Sequence, residues 1–172
     1  QGLVAGFGDI NNGKDNFEVL LDQLFGSDSK LIGRQQSDIT GMIGQYAHGN
    51  EPSHHTTYMY AYSGQPYKIA DKVRYINNEL YTDKPDGLSG NEDCGQMSAW
   101  YIFSSLGFYP VNPSNGAYVF GSPLFDEASI GLPENKIFTI IANENSDKNI
   151  YIQSVKLNGK DYKLSLIHIS EP

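Results

Sequence analysis

Helices followed by antiparallel strands is the fold class that this 172-residue sequence predicts, the arrangement expected where an α-helical barrel runs into a β-domain. Three observations predict it. Apolar residues recur at helical spacing as far as about residue 106. Beyond it come short β-rich runs separated by Gly, Pro, Asn and Asp. At the change of period stand Gly107, Pro110 and Pro113, which end a helix and prevent its resumption.

Residues 15–25 predict the first helix, because Phe17, Leu20, Leu21 and Leu24 fall at i, i+3, i+4 and i+7. Asp15 and Glu18 stand in capping-box positions and Gly26 is the stop. A short helix is predicted over residues 37–46. Pro52, at a first-turn position before Tyr58, Met59 and Tyr62, predicts another that ends at Gly64. Pro66 opens a third, whose stripe of Ile69, Val73, Ile76 and Leu80 lies opposite Lys68, Lys72 and Asn78 and seeks a neighbouring helix. From about Glu92 to Leu106 the sequence leaves almost no polar face, with Met97, Ala99, Trp100, Tyr101, Ile102, Phe103 and Leu106 all apolar or aromatic. Burial on most sides is expected of it. Strands are predicted over residues 117–120, 128–132, 136–142 and 149–157.

The division that follows is 1–112 for the helical part and 113–163 for the strands. Residues 164–172 resemble a translated sequencing adapter, are expected to be non-native, and give His168 no expected function. With no initiator Met before Gln1-Gly2-Leu3, the chain is expected to be a piece of a longer protein. Taken alone, such a piece is expected to expose the stripe on the 66–80 helix and the faces of the 92–106 helix, and so to fold poorly or aggregate.

Twenty acidic against twelve basic side chains give a net charge of −8, which argues against a nucleic-acid groove or an anionic membrane surface as partner. No run approaches a membrane span. The single cysteine, Cys94, forbids an internal disulfide and is expected to pack in a helix. Aromatic residues are plentiful, 12 Tyr, 8 Phe and 1 Trp, and such rings line neutral polar-ligand clefts as well as cores.

Two segments are built alike. Gly90-Asn91-Glu92-Asp93-Cys94-Gly95 places adjacent acids in a polar turn before an apolar helix, and Gly49-Asn50-Glu51-Pro52-Ser53-His54-His55 repeats the plan. Free backbone N–H groups and the helix dipole favour ionised carboxylates at such positions, which suits a general base or a metal ligand. A plain N-cap needs one acceptor, and Glu51, Glu92, Asp93, Asn50 and Asn91 together exceed that need. The two turns can therefore face one cavity. Zinc is disfavoured: His54 and His55 point about 100° apart on a helix, HExxH is absent and Cys94 has no CxxC partner. One histidine facing a polar cleft and the other packed in the helix interface fits better, and oxygen donors such as Asn50 and Glu51 suit calcium. Ser53 and Ser98 lack any nucleophile elbow and are expected to cap or pack. Gly87, Gly90 and Gly95 form no phosphate-binding fingerprint.

The stretches GNEPSHH at 49–55 and GLSGNEDCGQMSAWYIFSSLGFYPVNP at 87–113, with Gly121-Ser122-Pro123-Leu124-Phe125 and Ile150-Tyr151-Ile152-Gln153, resemble the C-terminal region of glycoside hydrolase family 92. That family comprises calcium-dependent exo-acting α-mannosidases. The resemblance runs from Gln1 to about Tyr162. It implies an N-terminal β-sandwich packed on an (α/α)6 barrel, so that this chain holds the terminal part of the barrel running into antiparallel strands of a β-sandwich domain, with the rest of the parent chain as its structural partner. It further implies inverting hydrolysis of terminal α-linked mannose from N-glycan or mannan-type glycans, assisted by Ca2+, in a secreted, periplasmic or cell-surface location. Position by position, Asp93 resembles the general base, with Glu92 beside it as the second implied catalytic residue. Asn50 and Glu51 resemble members of a calcium and sugar-binding turn, and Glu51, His54, His55 and Asn91 are the implied substrate-binding set. Where some members carry a second acid, this chain has Asn91. The family's general acid lies upstream of Gln1, so the chain alone is expected to be inactive. The alternative is a carbohydrate-binding or structural module that has lost catalysis.

Overall fold

The computed structural model describes Gly6 and residues 10–31, 36–162 and 167–168. The predicted order holds: helices α1 (Ile10–Gly26), α2 (Tyr60–Ser63), α3 (Tyr67–Glu79) and α4 (Gln96–Leu106) precede all but two of the strands. One aromatic-rich core unites them. Phe17, Leu21 and Phe25 of α1 pack with Tyr46, Tyr58, Tyr60, Ile69, Val73, Ile76, Trp100 and Val119. The buried residues of α1 thus recur at i, i+4 and i+8, and Leu20, placed on the apolar stripe by sequence, is exposed.

Helix α1 also begins earlier than its capping signals indicate. Asp15 lies inside it and is exposed, so the predicted capping box does not form. Glu18 serves instead in a clasp between helices: Lys68 Nζ of α3 lies 2.6 Å from both Glu18 Oε1 and Asp22 Oδ2, while the Tyr60 hydroxyl donates to Asp22 Oδ1 at 2.9 Å.

No helix forms over 37–46. The segment makes a hairpin of β1 (Met42–Ile43) and β2 (Tyr46–Ala47), with Ile43 opposite Tyr46. The physical reason is the end of α1. Gly44, at φ +59, lies so near the last carbonyls of that helix that a methyl group would come within 2.7 Å of Phe25 O, and Gln45 N–H donates to Leu24 O at 2.8 Å. The hairpin turn therefore satisfies carbonyls that a helix terminus leaves open.

The segment opened by Pro52 is tighter than an ordinary α-helix. It runs through short 3-10 turns at Glu51–Ser53 and Thr56–Met59 into α2, which ends at left-handed Gly64. Helix α3 matches its predicted span, but its stripe of Ile69, Val73 and Ile76 is fully enclosed within this chain rather than left exposed, because α1 and Trp100 pack in the same core. Helix α4 starts at Gln96 rather than Glu92, and it is buried along Met97, Trp100, Ser104 and Ser105 rather than all round; Ile102 is 57% exposed. Gly107, at φ +95, closes it by Schellman-type bonds to Phe103 O and Ser104 O.

Strand β3 (Phe108–Asn112) follows at once and pairs antiparallel with β4 (Ala117–Phe120), so the turn at Pro113 lies within a hairpin. Two further hairpins join β5 (Glu127–Gly131) to β6 (Ile137–Ile141) and β7 (Val155–Leu157) to β8 (Lys160–Tyr162). Residue 163 and, of the predicted tail, residues 164–166 and 169–172 lie outside the described set, while β9 (Ile167–His168) pairs with Ala117 and Tyr118. Residues 1–5 lie outside it too.

Only the end of the predicted 149–157 strand is a strand. Ile150 to Gln153 is held by side chains instead: Ser122 Oγ donates to Ile150 O at 2.7 Å, and the Tyr151 hydroxyl donates to Asp71 of α3 at 2.6 Å. Arg74, only 7% exposed on α3, completes the junction between helices and strands. Its Nε donates to Ser122 Oγ at 2.9 Å, and its Nη2 donates to Pro123 O and Asn145 Oδ1. Replacing it leaves several acceptors without a donor. Arg74→Ala in the intact protein is accordingly expected to cost about 2–4 kcal/mol, read as a lowered thermal midpoint, whereas Lys14→Ala on the exposed side of α1 should change it little.

Candidate acidic site

The two Gly-Asn-Glu turns come together through their backbones. A methyl group on Gly90, whose φ is +81, would lie 2.9 Å from Gly49 O, and one on Gly49 would collide with Thr40 Oγ1 and approach Ser89 O at 2.8 Å. Side chains at either position would hold the turns apart. Asn91 Nδ2 adds a lateral tie by donating to Asp38 Oδ1 at 3.0 Å.

The second turn is wound in an unusual way. Asp93, Cys94 and Gly95 have φ of +46, +56 and +92, three successive left-handed residues of which two carry side chains. Such strain persists only where surrounding bonds enforce it. Here they do: Gln96 N–H donates to Asp93 O at 3.2 Å, Met97 N–H to Glu92 O at 3.3 Å, and Ser98 N–H to Glu92 Oε1 at 3.2 Å. One oxygen of Glu92 thus caps the start of α4. Asp93 is left exposed, and among the described residues its carboxylate has no hydrogen-bond or ion-pair partner. Cys94, expected to pack in a helix, is instead an exposed free thiol, because the left-handed turn keeps it outside α4.

In the first turn the side chain of Asn50 makes no capping bond to the 3-10 turn that it begins. Glu51 is half-buried, and among the described residues its buried Oε1 has no hydrogen-bond partner, nor has Thr40 Oγ1. An enclosed carboxylate oxygen with nothing to accept is a costly feature unless something else occupies that lone pair. Ser53 does not cap a helix start; its hydroxyl lies within donating distance of Ala47 O at 2.6 Å and Asn50 O at 2.7 Å and ties the turn to the strand before it.

The two adjacent histidines divide as their spacing requires, His54 buried and His55 exposed. Both ring nitrogens of His54 are engaged internally, Nε2–H donating to His48 O at 2.9 Å and Nδ1 accepting from Gln96 Nε2 at 3.1 Å. Burial holds its pKa down despite the bond to His48 O, and the nearby His55 charge adds to that. A direct bond from His54 to a sugar would cost one of these contacts; His55 needs no such exchange.

Beneath the turns lies a cluster that the sequence patterns did not single out. His48, fully enclosed, bonds through Nδ1 to the Tyr46 hydroxyl at 2.8 Å and through Nε2 to the Tyr81 hydroxyl at 2.7 Å. Tyr81 donates to Met97 O at 3.1 Å, and Trp100 Nε1–H donates to His54 O at 3.1 Å. Burial, reinforced by His54, lowers the His48 pKa to about 3, so the ring is neutral at pH 7. Burial likewise pushes the phenols of Tyr46 and Tyr81 upward. The available signal was the His three residues before Glu51, which falls outside the repeated turn pattern. Surface hollows along Val19 and Gln23, and between Tyr67 and Ile152, are lined by none of the residues of the two turns.

Among the described residues no group of three or more His, Cys, Asp or Glu side chains could hold a metal ion, and no helix is long and apolar enough to cross a membrane.

The model of the glycosyl hydrolase family 92 catalytic domain matches residues 2–171. A solved family 92 α-mannosidase of Bacteroides thetaiotaomicron, in complex with mannoimidazole, shares 42% identity with a TM-score of 0.85; the match covers 96% of this chain and 22% of that one. An inverting family 92 mannosidase of the same bacterium shares 34% identity over 96% of this chain and 24% of its own, with a TM-score of 0.75. A secreted glycosidase of uncharacterized function from Arthroderma benhamiae is 35% identical over 117 residues, 66% of this chain and 15% of its own. The chain therefore spans less than a quarter of the length of these relatives. Its helices followed by antiparallel strands match the solved structures.

The close approach of the turns predicts an asymmetry between glycines. Gly90→Ala should destabilise the intact protein by about 1–3 kcal/mol, because a methyl meets both a left-handed φ and a carbonyl. Gly131→Ala, where a methyl meets nothing, should be neutral within about 0.5 kcal/mol. Equal thermal midpoints for the two variants would remove the close approach as a constraint.

Proposed function

Because the chain belongs to glycosyl hydrolase family 92, we propose that the intact protein hydrolyses terminal α-linked mannose from N-glycan or mannan-type glycans with inversion, and that Asp93 is its general base. The single observation that carries this is the state of Asp93. An acid on a left-handed turn held by backbone hydrogen bonds, exposed and, among the described residues, without a partner, is available to take a proton from water. The relatives, one an α-mannosidase in complex with mannoimidazole and one an inverting mannosidase, support the substrate and the stereochemistry.

Inversion needs two carboxyl groups roughly 6.5–9.5 Å apart, one ionised to deprotonate water and one protonated to donate to the leaving oxygen. We assign the first to Asp93 and place the second in sequence outside residues 1–172, so that the isolated chain is inactive. Glu92 stands beside the base and holds the turn through Ser98 N–H. Asn91, tied to Asp38, is placed to meet a sugar hydroxyl from the same turn, and exposed His55 is the histidine able to do so directly.

Calcium fits this chain in part. Asn50 and Glu51 offer the hard oxygen donors that calcium prefers, and the buried, unpartnered Glu51 Oε1 is an acceptor that such a cation would satisfy. Remaining ligands would come from sugar hydroxyls, water or other parts of the protein. When bound, the cation supplies a positive centre that neutral sugar hydroxyls can coordinate. We further propose that the chain is the end of an (α/α)6 barrel, whose other helices cover exposed Ile102, running into a β-sandwich, and that the protein is secreted, periplasmic or displayed at the cell surface; that the fungal relative is a secreted glycosidase supports export.

The test is Asp93→Asn in the intact protein, assayed on an aryl α-mannoside. The expected result is a fall in kcat of about 10²–10⁴-fold with bound mannoside retained. Hydrolysis at the parent rate would remove the base assignment, and a parent that binds mannose without cleaving it would leave the binding-module alternative standing. Chelation of divalent cations should lower affinity for mannoside and restore it on addition of Ca2+; indifference to the chelator would remove calcium from the account.

A further inference from the structure

We propose that His48 is a positioning residue for this reaction, an inference resting on the function proposed above: its ring sets the separation between the turn bearing Glu51 and the turn bearing Asp93 without touching substrate. Three observations place it there. Its backbone leads directly into the first turn, with His48 N–H donating to Gly41 O at 3.1 Å and Gly49 N–H to Thr40 O at 3.1 Å. Its ring reaches the second turn through one intermediary, since Tyr81 bridges His48 Nε2 and the carbonyl of Met97. Met97 in turn holds the acidic turn by donating its N–H to Glu92 O.

The ring has no freedom to do this in more than one way. Trp100 stands edge-on against it with centroids 4.5 Å apart, and His54 stacks on it at 4.7 Å. A carbonyl can only accept, so the Tyr81 hydroxyl proton points to Met97 O. Tyr81 Oη then accepts from His48 Nε2–H, which leaves Nδ1 to accept from the Tyr46 hydroxyl. Of the two neutral tautomers, only the one with its proton on Nε2 satisfies all three bonds. His48 O also receives His54 Nε2–H, whose partner Gln96 begins α4, so a second path of bonds runs parallel to the first. Core packing alone would need neither the polar atoms nor their direction.

Kinetics of the intact enzyme on an aryl α-mannoside, measured well below the melting temperature of every variant, decide the matter. Tyr81→Phe breaks the link at its middle and is conservative enough to fold. Its kcat should fall about tenfold or more with KM within about twofold, the mark of a displaced reacting group. His48→Leu should do the same, and His48→Gln, whose amide can still donate toward Tyr81, should recover at least about threefold over His48→Leu. Variants that only melt earlier, with kcat of the folded enzyme unchanged, would overturn the positioning role. So would a glutamine no better than leucine. If the parent itself hydrolyses no mannoside, this inference falls together with the proposed function; if the parent is active and Tyr81→Phe keeps its kcat, only the positioning role falls.

Discussion

The contact between Gly49 and Gly90 is the constraint on which the rest of the molecule depends. The two oxygen-rich turns are held side by side by the contact of their backbones, where the space left for a side chain on Gly90 ends 2.9 Å away at the Gly49 carbonyl. Everything nearby serves that approach. Helix α1 ends against the hairpin that leads into the first turn, α3 ends before Tyr81 and the loop that leads into the second, and α4 starts where the second turn stops. The helices act less as a container than as supports set at the two ends of a pair of loops.

Below the contact, buried polar side chains are joined to one another by hydrogen bonds. His48, His54, Tyr46, Tyr81, Gln96 and Trp100 each find a partner within the cluster. Such a network fixes direction as well as distance, because every bond in it has a donor and an acceptor that cannot be exchanged freely. Above the contact the situation reverses. Glu51 Oε1 and the Asp93 carboxylate lack partners among the described residues, one enclosed and one open to solvent. Satisfied groups beneath unsatisfied ones is the pattern expected of a site built to receive something polar.

Much of this was legible in the sequence, and for identifiable reasons. The stripe of Ile69, Val73 and Ile76 is local periodicity, and local periodicity reads directly. The Gly107 cap and the change to strands beyond it were equally plain. Residues 37–46 misled because their spacing allows a helix, while the deciding interaction is the distant end of α1 meeting Gly44. Ile150 to Gln153 misled for the opposite reason: strand composition was present, but Ser122 and Asp71 hold the segment by side chains and no ladder forms. At the site, the pairing of the two turns and the opposite fates of His54 and His55 followed from motif and helical geometry. Cys94 did not, since its exposure depends on three left-handed residues in succession. Neither His48 nor Tyr81 stood out, because a buried hydrogen-bond hub has no spacing of its own.

A structure of the intact protein with a mannose-shaped inhibitor tests the central claim most directly, since that claim is the convergence of two turns on one ligand. The account predicts the ligand between them, with the Asp93 carboxylate facing the anomeric carbon across a water molecule and Glu51 on the sugar or on a cation that the sugar coordinates. A ligand seated elsewhere, with Asp93 turned back onto its own helix, would contradict it.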